Sequence, residues 1–131
     1  MKIFFIFLLS IIFTLNALAQ TPTTHKYYEK DYQRVWCYKN CGQTEVILPD
    51  RTRVDCVTKT HAIEFDFAKK WAESIGQSLY YGEILNKTPG VVLIVEDWVR
   101  DEKYIKRVEL VAKKHCIDLW LMTKKDLEQE K

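Results

Sequence analysis

The sequence has no excess of either charge. Twenty Lys and Arg stand against 18 Asp and Glu, a formal net charge of +2, which excludes a polybasic chain that holds nucleic acid by bulk electrostatics. It has no internal repeat and no low-complexity tract, and its seven Tyr, six Phe and four Trp argue against disorder. His25, His61 and His115 have no metal-ligand spacing, and the four cysteines lack the paired C-x-x-C of structural zinc modules. After Ala19 no apolar run is long enough to span a bilayer, since Val91 to Val95 has only the length of a buried strand. What is left is the composition of one ordinary α/β-sized domain.

Much of the 47% apolar content sits at the start. Met1-Lys2 is a short positive region, Ile3 to Leu15 an apolar run, and Ala17-Leu18-Ala19 before Gln20 a small-x-small cleavage signal, so residues 1–19 read as a signal peptide. The alternative, an uncleaved anchor, needs about 20 apolar residues, and this run is shorter. No cysteine follows the cleavage point, which argues against a lipoprotein. The expectation is a periplasmic or secreted protein with no membrane contact after cleavage. In an oxidising compartment the cysteines favour a structural disulfide or buried thiols. Cys37 and Cys41 could meet at i, i+4 around a helix end, leaving Cys56 and Cys116. A zinc site using Cys37, Cys41, Cys56 and a histidine is the other reading.

Residues 20–26 read as a linker, 27–122 as a single domain and 123–131 as a solvated, charged tail. Within the domain, Tyr27 to Tyr38 has helical apolar spacing. Thr44–Leu48 and Arg53–Thr58 form a hairpin about the Pro49–Thr52 turn, and His61–Phe65 is a third strand. Asp66 can cap a helix running to Asn86, stopped by Pro89-Gly90. Val91–Glu96 lacks alternation, as a strand covered on both faces does. Asp101–His115 is an amphipathic helix whose Lys103, Lys106, Arg107, Lys113 and Lys114 mark a solvated face or, in the other reading, supply phosphate contacts, and Ile117–Met122 is the last strand. The order is α-β-β-β-α-β followed by an α-β unit: an α/β fold with a mixed central sheet flanked by helices.

Asp55 lies on the second strand, and Glu64 and Asp66 share one face of the third. Carboxylates gathered in a sheet repel unless a cation neutralises them, and a hard divalent metal with oxygen ligands does so economically. The bland alternative has Asp66 capping a helix and the other two at exposed sheet ends. Lys70, Glu73, Gln77 and Tyr81 then form a polar stripe on the next helix, beginning where the acids end.

Arg53-Val54-Asp55, then Ile63-Glu64-Phe65-Asp66, then Gln77-x-x-x-Tyr81 resembles the PD-(D/E)XK nuclease superfamily, in its branch with a Q-x-x-x-Y motif. The stretch from Arg53 to Tyr81 also resembles a group of small bacterial and phage proteins. The resemblance runs from about Tyr27 to Val95 and implies a restriction-endonuclease-like core. It further implies that Asp55 and Glu64, with Asp66 as an added ligand or general base, hold Mg²⁺ or Mn²⁺ beside the Phe65 carbonyl. Glu45 resembles the acid that some members supply to orient water, and Gln77, Tyr81 and Glu73 would position the nucleic-acid backbone.

The sequence departs from the family where its lysine, two residues after the glutamate, is replaced by Asp66. Lys70 is the first candidate to have migrated onto the following helix, and Lys69 the second. The resemblance therefore implies an exported, metal-dependent nuclease acting on DNA or RNA. The alternative is a degenerate module of the same fold that binds nucleic acid or a protein without turnover. Cutting both strands of a duplex would call for a homodimer, whose interface is not legible.

Overall fold

A computed structural model describes residues 25–129. The expected signal peptide and most of the expected linker lie outside the described residues. The elements are α1 (Glu29–Lys39), β1 (Gln43–Ile47), β2 (Arg53–Val57), β3 (His61–Phe67), a 3₁₀ turn (Ala68–Lys70), α2 (Trp71–Leu85), β4 (Thr88–Ile94), α3 (Trp98–His115), β5 (Asp118–Met122) and α4 (Lys124–Glu128). The five strands lie side by side in chain order. β1, β2 and β3 form an antiparallel meander, while β3, β4 and β5 run parallel.

The parallel strands β3 and β4 are buried along nearly their whole length because helices cover both faces of the sheet. On one face Tyr32 and Cys37 of α1 and Leu127 of α4 pack on Phe65, Val92, Ile94 and Met122. On the other, Ile75 of α2 and Ile105, Val108 and Ala112 of α3 pack on Val91, Leu93 and Val95. Each large apolar side chain removed from water contributes roughly 1.5–3 kcal/mol, so these two layers supply most of the drive to fold.

Local chemistry fixes the ends of the elements. The Asp31 carboxylate accepts from the Tyr28 amide at 2.9 Å and starts α1. Asp97 accepts from the Val99 and Arg100 amides and caps α3, which begins at Trp98, three residues before the expected Asp101. The hairpin turn is closed by Asp50, which accepts from both the amide and the hydroxyl of Thr52 and from the Tyr80 hydroxyl.

Three expectations need correction. Asp66 does not cap α2, because β3 runs on to Phe67, the 3₁₀ turn intervenes and Lys70 occupies the cap position without a side-chain bond. Pro89-Gly90 does not lie outside the strands. Both belong to β4, Pro89 near its start where a missing donor is tolerated, and Gly90 where a Cβ would come within 2.8 Å of Trp120 and 3.0 Å of Ile63. Thr123 onward is not a solvated tail. Thr123 caps α4, exchanging bonds with Asp126, and the helix buries Leu127 in the core.

The cysteines also pair differently. Cys37 of α1 is bonded to Cys56 of β2, leaving Cys41 and Cys116 as exposed free thiols. Position 42 must be glycine for this arrangement, since a Cβ there would lie 2.6 Å from one sulfur and 2.7 Å from the other. With Cys37 and Cys56 joined to each other, the zinc reading loses its ligands.

Candidate functional site

The β2–β3 ladder is paired at Cys56↔Ile63 and Val57↔Ala62 and goes no further. Asp55 and Glu64 stand at the point where the strands part, and side chains take over the missing rungs. The Phe65 amide donates to Asp55 Oδ2 at 2.9 Å, and the Asp55 amide donates to Glu64 Oε1 at 3.3 Å. A buried strand end would otherwise leave these amides without partners, at a cost of about 1–3 kcal/mol each.

The parting strands open a cleft of about 490 Å³ at one end of the sheet. Its floor is Asp55, Glu64, Phe65 and Asp66. One wall is the 3₁₀ turn with α2, the turn presenting Lys70 and the helix Glu73, Gln77 and Tyr81, and another is the first turn of α1, which presents Glu29. The hairpin contributes Arg51, Thr52 and Arg53 at the rim. Asp55, Glu64 and Asp66 are 8%, 3% and 4% exposed, so all three carboxyls have lost nearly all contact with water.

Burial dominates their electrostatics. It pushes Glu64 well above the ordinary carboxyl range and Asp55 up as well; the neighbouring Asp55 charge raises Glu64 further, and the Phe65 amide partly restrains Asp55. Burial likewise brings Asp66 to about 7 despite Lys70, and Glu29 to about 8, with Asp66 and Asp55 adding to the rise. Glu29 also hydrogen-bonds Asp66, as Glu64 does Asp55. Each rise is in the direction expected when carboxyls crowd together out of water, where holding a proton is less costly than gathering like charges. Lys70 Nζ lies 3.7 Å from Asp66 Oδ1, and its side chain is 57% exposed, so it answers only part of this charge.

The residues anticipated from sequence fall into two groups. Asp55, Glu64, Asp66, Lys70, Glu73, Gln77 and Tyr81 all line the one cleft. Tyr81 is buried, with its hydroxyl beside Gln77 and Thr52. Glu45 does not line it. Its carboxylate turns to Arg53, with 2.8 Å between Oε2 and Nε, and reaches the site only as a charge that raises Asp55. Lys69 enters a different cavity.

Glu29, Arg51 and Arg53 are cleft residues that the sequence reading missed. An acid in the first turn of a helix reads as an ordinary partner for the helix dipole. Only the docking of α1 over the sheet, tied by Cys37–Cys56, brings Glu29 to the other acids.

The donor set is all oxygen, which suits a hard divalent cation. Among the described residues, however, no three His, Cys, Asp or Glu side chains are set to hold a metal ion as they stand. The acids are turned toward one another, so a cation would have to replace the protons they hold. No family model, no curated protein and no solved structure matches the chain.

Proposed function

We propose that this chain is an exported, metal-dependent nuclease with a restriction-endonuclease-like core, acting on phosphodiester bonds in DNA or RNA. The observation that carries the reading is the convergence of three buried carboxyls and the half-buried Glu29 with Lys70, Gln77 and Tyr81 in one cleft. Buried acids held without enough cations are costly for stability, and such groups concentrate at functional sites. The α-β-β-β-α-β order and the motif residues point the same way.

Asp55, Glu64 and Asp66 would hold Mg²⁺ or Mn²⁺, which supplies Lewis acidity and positive charge opposite a scissile phosphate. Lys70 would orient and help deprotonate the attacking water, in place of the lysine displaced by Asp66. Arg51 and Arg53, at the rim, would take phosphates on either side of the cut. Gln77 and Tyr81 would hold the backbone, and Tyr81, being fixed by burial, would set its distance from the acids. The Cys37–Cys56 disulfide is in keeping with life outside a reducing cytoplasm.

The test is cleavage of labelled single- and double-stranded DNA and RNA by purified protein in Mg²⁺ or Mn²⁺. Glu64→Gln and Asp55→Asn should abolish cutting while preserving the fold, and cutting that persists in EDTA would sink the metal mechanism. One observation favours a second reading. Because the acids are not set to hold a metal ion as they stand and burial raises all four, the fold could serve as a binding module without turnover. Calorimetric titration with Mn²⁺ separates the two, since a module that has lost its metal takes up no heat at the acid cleft.

A further inference from the structure

The 3₁₀ turn that puts Lys70 into the acid cleft puts Lys69 into a second cavity of about 270 Å³. The chain's own His25 forms part of its lining. The imidazole lies flat on the Phe67 ring, with centroids 3.9 Å apart and planes 12° from parallel, while its Nδ1 is 2.7 Å from Glu96 Oε1. His25 belongs to no helix or strand, so the stack and this one polar bond hold it in place. Phe67 is itself braced edge-on by the buried Tyr32, at 6.2 Å and 84°, which leaves one ring face fixed for a stacked partner.

A flat nitrogen heterocycle, face on an aromatic ring and edge on a carboxylate, is held as proteins hold an unpaired nucleobase. The rim supplies what a base alone would not need. Lys69 and Lys103 both line the cavity, and neither has a carboxylate partner among the described residues. Arg100, by contrast, is taken up by Asp101 at 2.9 Å and Glu96 at 3.6 Å. Two ammonium groups without a carboxylate partner, that of Lys103 lying over the Tyr104 ring at 5.0 Å, stand beside a stacking face and an acceptor and form a site for a base that carries a phosphate.

We propose that this cavity is a nucleotide subsite in which Phe67 stacks the base, Glu96 accepts from its N–H edge, and Lys69 and Lys103 take the phosphate. His25 is the stand-in that closes the slot when no nucleotide is bound. Guanine, with two adjacent donors on its edge, is the base that suits a carboxylate best. The inference goes beyond the nuclease reading and does not require that the acid cleft cut anything.

The experiment uses GMP as probe, in EDTA so that the acid cleft contributes nothing. In the unaltered protein the His25 ring protons should be shifted by the Phe67 ring current and should move to free-histidine positions as GMP is added. By calorimetry, His25→Ala should bind GMP about tenfold more tightly, because a slot filled most of the time by its own chain is open only a fraction of it. GMP should bind more tightly than guanosine, and Lys69→Ala with Lys103→Ala should remove that difference. The proposal is overturned if GMP leaves the His25 resonances unmoved, if inorganic phosphate displaces His25 as well as GMP does, or if His25→Ala gains no affinity. Because these readouts report binding in EDTA, they stand or fall separately from any loss of cutting.

Discussion

The Phe65 amide bonds to the Asp55 carboxylate at 2.9 Å, where a strand-to-strand rung would otherwise lie. The last true rung of that ladder is Cys56↔Ile63. The site is thus a place where the sheet stops pairing and acids substitute for backbone. Stability and charge at this point are coupled, and the coupling can be measured.

The first prediction concerns pH. Asp66 and Glu29 titrate near 7 and 8 in the fold but near 4 in the unfolded chain, so the folded state holds their protons longer. Their stabilising contribution is full below about pH 4 and is lost as pH rises through 7 and 8. In EDTA the melting temperature should fall by roughly 5 °C or more between pH 5 and pH 9. Asp101 acts oppositely at the acid end. Burial works against its charge, but Arg100 and two backbone amides hold it below its ordinary value, so its contribution is lost below about pH 4. Glu29→Gln, which removes one of these two ionisations, should flatten the alkaline fall, and an unchanged slope in that variant would contradict this account.

A cation that enters the acid cleft must expel the protons its acids hold. Mn²⁺ affinity should therefore rise steeply with pH between 6 and 9, approaching about two protons released per ion. Calorimetry in buffers of different ionisation enthalpy gives the count directly, and a pH-independent affinity would place the metal elsewhere.

Lys70→Ala should lower any cleavage rate by about 100-fold or more, the usual size of a proton-transfer contribution. Lys106→Ala is the control, since Lys106 pairs only with Glu102 on exposed α3 and should change the rate less than about twofold. The Lys70 variant should also shift the acid limb of the pH–rate profile upward, because Lys70 lowers Asp66.

Alkylation of the native, unreduced protein should label Cys41 and Cys116 and leave Cys37 and Cys56 untouched. Reduction should cost about 3 kcal/mol, from a closed loop spanning 19 residues. Urea titrations with and without reductant give that difference. A third labelled thiol before reduction would refute the pairing.

Leu127→Ala should destabilise the fold by about 2–3 kcal/mol although it stands in a run of charged residues. A solvated tail would show no effect in the same denaturation experiment.

The order of elements was legible because each has a periodicity or turn that local chemistry enforces, and the cluster of Asp55, Glu64 and Asp66 with Lys70, Gln77 and Tyr81 was legible because strand and helix periods fix shared faces. Contacts between distant elements were not. Glu29 enters the site only when α1 docks on the sheet, and Glu45 leaves it because Arg53 is the nearer partner. The disulfide followed tertiary distance, not the i, i+4 spacing of Cys37 and Cys41. Leu127 was hidden in a run of charges, where a single apolar residue per turn gives too weak a stripe to read. Pro89 and Gly90 carry turn chemistry, yet Trp120 needs the space that glycine leaves.

The sheet's sequential strand order bears on how the chain assembles. Each strand docks against the one made just before it, so no segment has to be threaded between strands already in place. The face covered by α2 and α3 is completed as β4 and β5 are added. The opposite face, covered first by α1, is completed only when α4, the last described helix, lays Leu127 beside Tyr32 and Cys37. A chain emerging from N- to C-terminus can thus close its disulfide and gather its acids early, but it can seal this side of its core only when α4 arrives.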